Sequence, residues 1–178
     1  MSEKEIVIGC INGELRAQRI LFDKFAGKMM TVCRRYAGQG SDAEDFFQES
    51  FIRVFQNLHQ FQFQGSLEGW IRRVVVHACI RQLSKRKLTY SLDSDNMHFE
   101  PEVDNLALSS LSEEEIINWI NMMPIGYKTV FNLVVFDGFS HKEVSSMMSI
   151  DEATSRSQLL KGRKWLQKRV VNAQKVKI

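Results

Sequence analysis

Apolar side chains recur at three- and four-residue intervals almost throughout this chain, and the pattern lapses over a long stretch in only one place. From Glu14 to Tyr36 the series Leu15, Ile20, Leu21, Phe22, Phe25, Met29, Cys33 and Tyr36 keeps helical spacing, interrupted near Gly27. Ser41-Asp42-Ala43-Glu44 has the form of a capping box, in which hydroxyl and carboxylate satisfy free N–H groups at a helix start. The helix it opens is expected to reach about Leu58, with Phe47, Phe51, Val54, Phe55 and Leu58 as one apolar, core-facing stripe. After the loop Gln60–Ser66 comes a second long helix. Its inward set is Leu67, Trp70, Ile71, Val74, Ala78, Ile80 and Leu83, and it ends in Lys85-Arg86-Lys87. Two prolines and ten glycines are too few for the turns of a sandwich or barrel. The fold class expected is all-α.

Residues 89–111 lack periodicity and are rich in Ser, Asp and Asn. More than 20 structureless residues inside one compact domain would be unusual, so the stretch reads as an acidic, polar linker. It divides the 178 residues into domains 1–88 and 112–178. In the second, Ser112-Glu113-Glu114-Glu115 and Ser140-His141-Lys142-Glu143 are further capping boxes. Pro124 suits a first turn, with Val130, Phe131, Val134 and Val135 facing inward, and Gly138 suits a helix end. A short helix to about Met148, a break at Ser149-Ile150-Asp151 and a longer basic helix to about Val171 complete the pattern.

Charge is distributed in blocks. Residues 71–90 hold six bases and no acid, residues 91–123 eight acids and no base, and residues 124–178 ten bases against four acids. Two basic blocks around an acidic one suit two surfaces for a polyanion, and both basic runs end helical segments, which points to nucleic acid. No apolar run approaches the roughly 20 residues that span a bilayer, and Met1–Glu5 lacks a secretory pattern. Cys10, Cys33 and Cys79 are too widely spaced for a CxxC clip and are expected as reduced thiols in a cytoplasmic protein.

A short helix, a three-residue break and a longer basic helix make a helix-turn-helix, whose second helix presents its first turns to base edges. Taken with Ala43–Phe51, Phe61–Arg73, Met123-Pro124, Asp137–Val144 and Thr154–Leu159, the chain resembles the extracytoplasmic-function (ECF) group of sigma factors. These belong to the sigma-70 family, the promoter-recognition subunits of bacterial RNA polymerase. The order of the motifs, with a linker between and the middle sigma domain absent, makes the resemblance specific. Ser149 stands where the family usually has a turn glycine, and Ser145 where alanine is usual. His77 and Arg81 replace an amide and a short polar or acidic residue.

The resemblance implies a sigma factor that binds core polymerase, recognises −10 and −35 elements and helps to melt DNA. Asp45, Gln48 and Glu49 would dock on the clamp coiled coil of the β′ subunit, with the β flap as a second contact. Phe61, Gln62, Phe63 and Gln64 would read a flipped base at the −10 element, where aromatics stack and amides read edges. Arg72, Arg73, His77, Arg81 and Lys85 would hold that region's DNA. Arg156, Ser157, Gln158 and Lys161, followed by Arg163 and Lys164, would face the −35 element. Promoter DNA is the second partner, and an anti-sigma factor is a further class the resemblance allows. No cofactor, metal or membrane insertion is expected.

Other classes explain less. A dimeric helix-turn-helix repressor leaves the Gln48-Glu49 face and the aromatic loop idle. A small nuclease needs a His/Asp/Glu cluster, but His59, His77, His98 and His141 are scattered and no phosphate-cradling Gly loop or nucleophile elbow occurs. No catalytic residue is assigned, and the chain is expected not to be an enzyme. A redox sensor built on Cys33 and Cys79 would have nearby Arg as its only activating context.

Overall fold

The computed structural model describes residues 1–38, 40–89 and 113–176, all of the regular structure helical. Two compact units divide the chain, Met1–Thr89 and Tyr90–Ile178. The linker expected over 89–111 lies outside the described residues, Thr89 apart, as does the capping box expected at Ser112.

The first unit contains α1 (Glu3–Ile11), α2 (Leu15–Ala37), α3 (Ser41–Asn57) and α4 (Leu67–Thr89). Helix α1 had no counterpart in the periodicity reading, yet Ser2 and Glu5 form its capping box, each side chain satisfying the other's backbone N–H. It crosses α2 closely, because a Cβ at Gly9 would stand 2.7 Å from Cβ of Ala17. Helix α2 runs through Gly27 without a break. The capping box expected at Ser41 is not formed. Gly40 is the N-cap at φ 95°, no side chain caps the helix, and Ser41 is already helical. A 3₁₀ turn, Leu58–Gln60, extends α3.

Val7, Leu21, Phe25, Met29, Phe46, Val54, Leu58, Leu67 and Ile71 fill the core between these helices. On α4 the expected Leu67, Ile71, Ala78 and Ile80 are buried and are joined by Val75, Val76 and Cys79, while Trp70, Val74 and Leu83 are only half-buried. Adjacent buried residues mean that neighbours cover α4 on more than one side, so a single stripe does not describe it.

The second unit holds α5 (Glu113–Met122), α6 (Ile125–Phe131), α7 (His141–Met148) and α8 (Glu152–Val176). Pro124 is the N-cap of α6, one position before the first turn where it was expected. A π-helical turn, Asn132–Phe136, continues α6. Such a turn adds one residue to the helical repeat and so rotates the later side chains about the helix axis. That is why Leu133 is fully buried while Val134 is half-buried and Val135 exposed, against the inward pair expected. Gly138 at φ 72° lets the chain leave this helix. Tyr127, Val130, Phe139, Val144, Leu159 and Trp165 form the core.

The capping box at Ser140 is formed in full. Glu143 N–H donates to Ser140 Oγ at 3.3 Å and Ser140 N–H to Glu143 Oε2 at 2.8 Å. Ser140→Ala is expected to cost about 1 kcal/mol, read as faster amide exchange in the first turn of α7.

Candidate nucleic-acid interface

On α3, Asp45 and Gln48 are exposed, as expected of an outward face. Glu49 is half-buried. Its Oε1 accepts from Arg53 Nη2 at 2.6 Å and Nε at 2.9 Å, one turn on, so this carboxylate already holds a cation. Ile52, on the same face, is 52% exposed, and sequence reasoning missed it. The aromatic stripe is not simply core. Phe51 is buried, but Phe47 and Phe55 are half-buried, and the fully buried ring is Phe46. With Phe22 and Met30 of α2, the three rings and Ile52 line an open apolar groove of about 590 Å³, edged by Glu44 and Gln48. Ring centroids lie 5.0 Å apart for Phe22–Phe51 and 4.8 Å for Phe47–Phe51. The hint in the sequence was the adjacent Phe46-Phe47 pair, since one side of a helix cannot bury both.

The loop before α4 assigns its two rings different work. Phe61 is buried, its centroid 5.7 Å from that of Trp70. Phe63 is 46% exposed and sits at φ 56°, a left-handed backbone that a bulky residue rarely adopts. Its ring lies 5.2 Å from Phe61, and Lys4 Nζ of α1 reaches to 6.0 Å from its centroid. Gln62 and Gln64 are exposed on either side. The result is an aromatic platform with a cation and two amides around it, suited to stacking an unpaired base.

Beside α4 a cleft of about 410 Å³ is lined by Arg73, His77 and Arg81 together with Trp70 and Val74. Arg53 and Asn57 of α3 and Gln60 of the 3₁₀ turn form its other wall, a contribution sequence reasoning did not foresee. Residues 53, 57 and 60 recur at intervals of four and three, and residues 73, 77 and 81 at intervals of four, each set on one side of a helix, which is the signal that could have found them. Arg72 is half-buried and not part of the cleft, because one residue along a helix turns a side chain through roughly 100°. Lys85 is exposed farther along α4.

In the second unit α7 and α8 meet at a tight turn. Ser149 takes φ 54°, ψ 47°, the left-handed conformation. Ser145 Oγ donates to the Ile150 carbonyl at 2.6 Å, and Ile150 N–H donates to the Ser145 carbonyl at 3.2 Å. The hydroxyl at 145 thus braces a turn that lacks glycine at 149. Ser149→Gly is expected to stabilise this unit by about 0.5–1 kcal/mol, seen as slower amide exchange in α7. A second brace is the 2.8 Å hydrogen bond between His141 Nδ1 and the buried Ser155 Oγ.

On α8, Arg156, Ser157 and Lys161 are exposed, Lys164 is half-buried beside them, and Arg163 is exposed farther round. Arg156 Nη1 donates to Glu152 Oε2 at 3.1 Å, which orients it along the helix, while Lys161 Nζ lies 5.9 Å from the Tyr127 ring. Gln158 departs from the expected set. Its Oε1 is buried without a hydrogen-bond partner, and a Cβ at Gly126 would stand 3.3 Å from it. Leu160, 55% exposed between Arg156 and Lys164 on the helical surface, lies on the exposed side of the helix, an apolar group of the kind that can meet a thymine methyl. Not every base of this region serves the surface. Lys128 is buried in α6, and burial holds its ammonium below the usual lysine range. Arg169 stacks 4.5 Å over Trp165.

Residues 21–89 match the family model for sigma-70 region 2, and residues 113–166 match that for sigma-70 region 4. The chain is similar to the ECF RNA polymerase sigma factor SigW of Bacillus subtilis (strain 168). The two are 26% identical, with 89% of this chain and 91% of SigW covered. It is 21% identical to the ECF RNA polymerase sigma-E factor of Haemophilus influenzae, with 96% of both covered. Among solved structures, the sigma factor RpoE of Bartonella quintana, in complex with the anti-sigma factor NepR, shares the fold at a TM-score of 0.54. Identity there is 18%, over 86% of this chain and 96% of that one. With two family models in the order region 2 then region 4, together spanning more than half its length, this chain belongs to the ECF group of sigma-70 family RNA polymerase sigma factors.

Proposed function

We propose that the two units divide promoter-specific transcription initiation, the function of this family, between core and −10 binding in the first and −35 binding in the second. Asp45, Gln48 and Ile52 of α3, with the aromatic groove beside them, form the core-polymerase face toward the β′ clamp. Phe63, flanked by Gln62 and Gln64, takes the flipped base, and the cleft of Arg73, His77, Arg81, Arg53 and Asn57 holds the adjoining −10 strand. Arg156, Ser157, Leu160 and Lys161 face the −35 bases, while Arg163, Lys164 and Lys168 attend to phosphates. The polymerase supplies the chemistry of RNA synthesis and this chain none, and the work is cytoplasmic. An anti-sigma factor is a further partner of the chain, as NepR is of RpoE.

The observation that carries this reading is the division of labour at the loop. Phe61 closes the core, and Phe63, resting against it, stands 46% exposed in a left-handed backbone conformation. Left-handed aromatics are found where the surroundings over-determine them, most often at functional positions. Run-off transcription with purified core polymerase tests the whole assignment. Promoter-specific transcripts are expected only when both core and this chain are present, and DNA binding by the chain without core would favour a repressor instead.

The −35 assignment has its own test. Arg156→Ala is expected to relax preference at one or two −35 positions, because base contacts carry about 1–3 kcal/mol of discrimination each. Lys168→Ala is expected to weaken all sequences alike and flatten the salt dependence. A library of randomised −35 sequences, transcribed with wild type and with each variant, separates them. Identical base selection by wild type and the Arg156 variant would remove Arg156 from the reading face.

A further inference from the structure

All three cysteines are reduced and buried, and two of them meet. Cys33 of α2 and Cys79 of α4 are fully buried, and Cys79 Sγ donates to Cys33 Sγ across 3.9 Å. They lie 46 positions apart in sequence, with all of α3, the aromatic loop and the first half of α4 between them. Nothing in core or promoter binding calls on this pair. Burial alone would favour the neutral thiol, yet hydrogen bonding from Cys79, helped by the Ser50 hydroxyl, holds the Cys33 thiol below its ordinary range. Cys10, by contrast, is pushed up by burial and by the Glu14 carboxylate.

We propose that Cys33 and Cys79 are an oxidation site for hydrogen peroxide, closing to an intrachain disulfide that suppresses promoter opening. Full burial selects the oxidant class. Peroxide is little larger than water and enters through local openings of the fold, whereas a disulfide oxidant such as oxidised glutathione does not fit. In the first step the Cys33 thiolate attacks one peroxide oxygen, the O–O bond breaks, and the departing hydroxide takes up the proton that the Cys33 thiol released and leaves as water, with Cys33 now a sulfenic acid. In the second, the Cys79 sulfur attacks the sulfenic sulfur, the S–O bond breaks, and the departing hydroxide takes up the thiol proton as water. Two thiols and one peroxide give one disulfide and two waters. Each sulfur loses one electron, and the two peroxide oxygens accept the pair.

A disulfide is about 2.05 Å long, so the sulfurs must approach by about 1.9 Å. Helix α4 carries His77 and Arg81 within one turn of Cys79, and its start is tied to the Phe61–Phe63 loop through Trp70. Drawing α4 onto α2 therefore shifts the −10 cleft relative to its α3 wall. This consequence rests on the proposed −10 role of the cleft, whereas the oxidation does not.

The test uses the full chain, reduced and then exposed to hydrogen peroxide, quenched and alkylated under denaturing conditions. Three alkylated thiols before treatment and one after are expected, with a joined Cys33–Cys79 peptide two hydrogens lighter than its parts. Oxidised glutathione is expected to leave all three thiols. Run-off transcription is expected to fall roughly fivefold or more, the lower range of regulatory coupling, and to recover with dithiothreitol. Cys79→Ala is expected to abolish the response, and Cys33→Ala serves if that variant does not fold. Three thiols remaining after peroxide, or a bridge through Cys10, overturns the site. Unchanged transcription by the fully bridged protein overturns its regulatory role. If the reduced protein gives no transcript at all, the promoter reading has failed, and the thiol count still decides the oxidation.

Discussion

Phe63→Ala is expected to reduce open-complex formation about tenfold while leaving association with core polymerase unchanged. Stacking of a base on an aromatic side chain contributes about 1–3 kcal/mol, and tenfold corresponds to the lower part of that range. The neighbouring ring supplies the control. Phe61 is buried against Trp70, so Phe61→Ala opens a cavity and is expected to destabilise the first unit by about 3–5 kcal/mol. Phe63 is almost half exposed, and alanine keeps the same Cβ in the left-handed backbone, so the fold should lose little. Permanganate reactivity of −10 thymines reads the opening step directly. On a template melted in advance, the Phe63 variant should approach wild type, because duplex opening no longer has to be driven. A loss of core binding by Phe63→Ala would assign the loop to the scaffold.

The difference between these two rings is a tertiary fact. In sequence, Phe61 and Phe63 are equivalent members of an alternating Phe-Gln run, and only the packing of Phe61 on Trp70 separates them. The helices themselves were legible, because 3.6-residue periodicity states which side of a helix is apolar. It was less legible how many sides are covered. Helix α4 has neighbours beyond one stripe, so Val75 and Val76 are both buried and Val74 faces the cleft. Helix α3 errs the other way, with more aromatics than its buried face accepts, and the surplus becomes the groove edge at Phe47 and Phe55.

Capping boxes show a similar limit. The Ser-x-x-Glu pattern is local chemistry, and at Ser140 it forms as written. At Ser41 the preceding Gly40 takes up the cap position instead, so the same pattern falls one residue inside the helix. In the second unit one π-helical turn moved the inward set from Val134 to Leu133, a shift that periodicity has no means to anticipate. The substitution of Ser for Gly at 149 was visible in the sequence. Its compensation by Ser145 Oγ required the geometry of the turn.

Ile52→Asp is expected to weaken association with core polymerase by about thirtyfold or more, a larger effect than any single charge change on α3. The outward face holds two kinds of contact. Asp45 and Gln48 are exposed polar groups at a rim, and rim charges chiefly set association rate and salt sensitivity. Ile52 is a large apolar side chain standing 52% exposed beside an aromatic groove, the kind of group whose burial by a partner dominates binding, at about 2 kcal/mol or more. Placing a carboxylate there removes that burial and leaves a charge to be desolvated. Asp45→Lys should therefore slow association and change its salt dependence, with a modest loss of affinity. Glu49→Lys is the less telling variant, since it also breaks the Arg53 ion pair and sets two cations side by side at the edge of the Arg73–His77–Arg81 cleft. Circular dichroism should be unchanged in the Ile52 variant, because an exposed position contributes little to the core. Affinity for core measured at several salt concentrations separates the two contributions. Undiminished binding by Ile52→Asp at every salt concentration would move the core-binding face away from this groove.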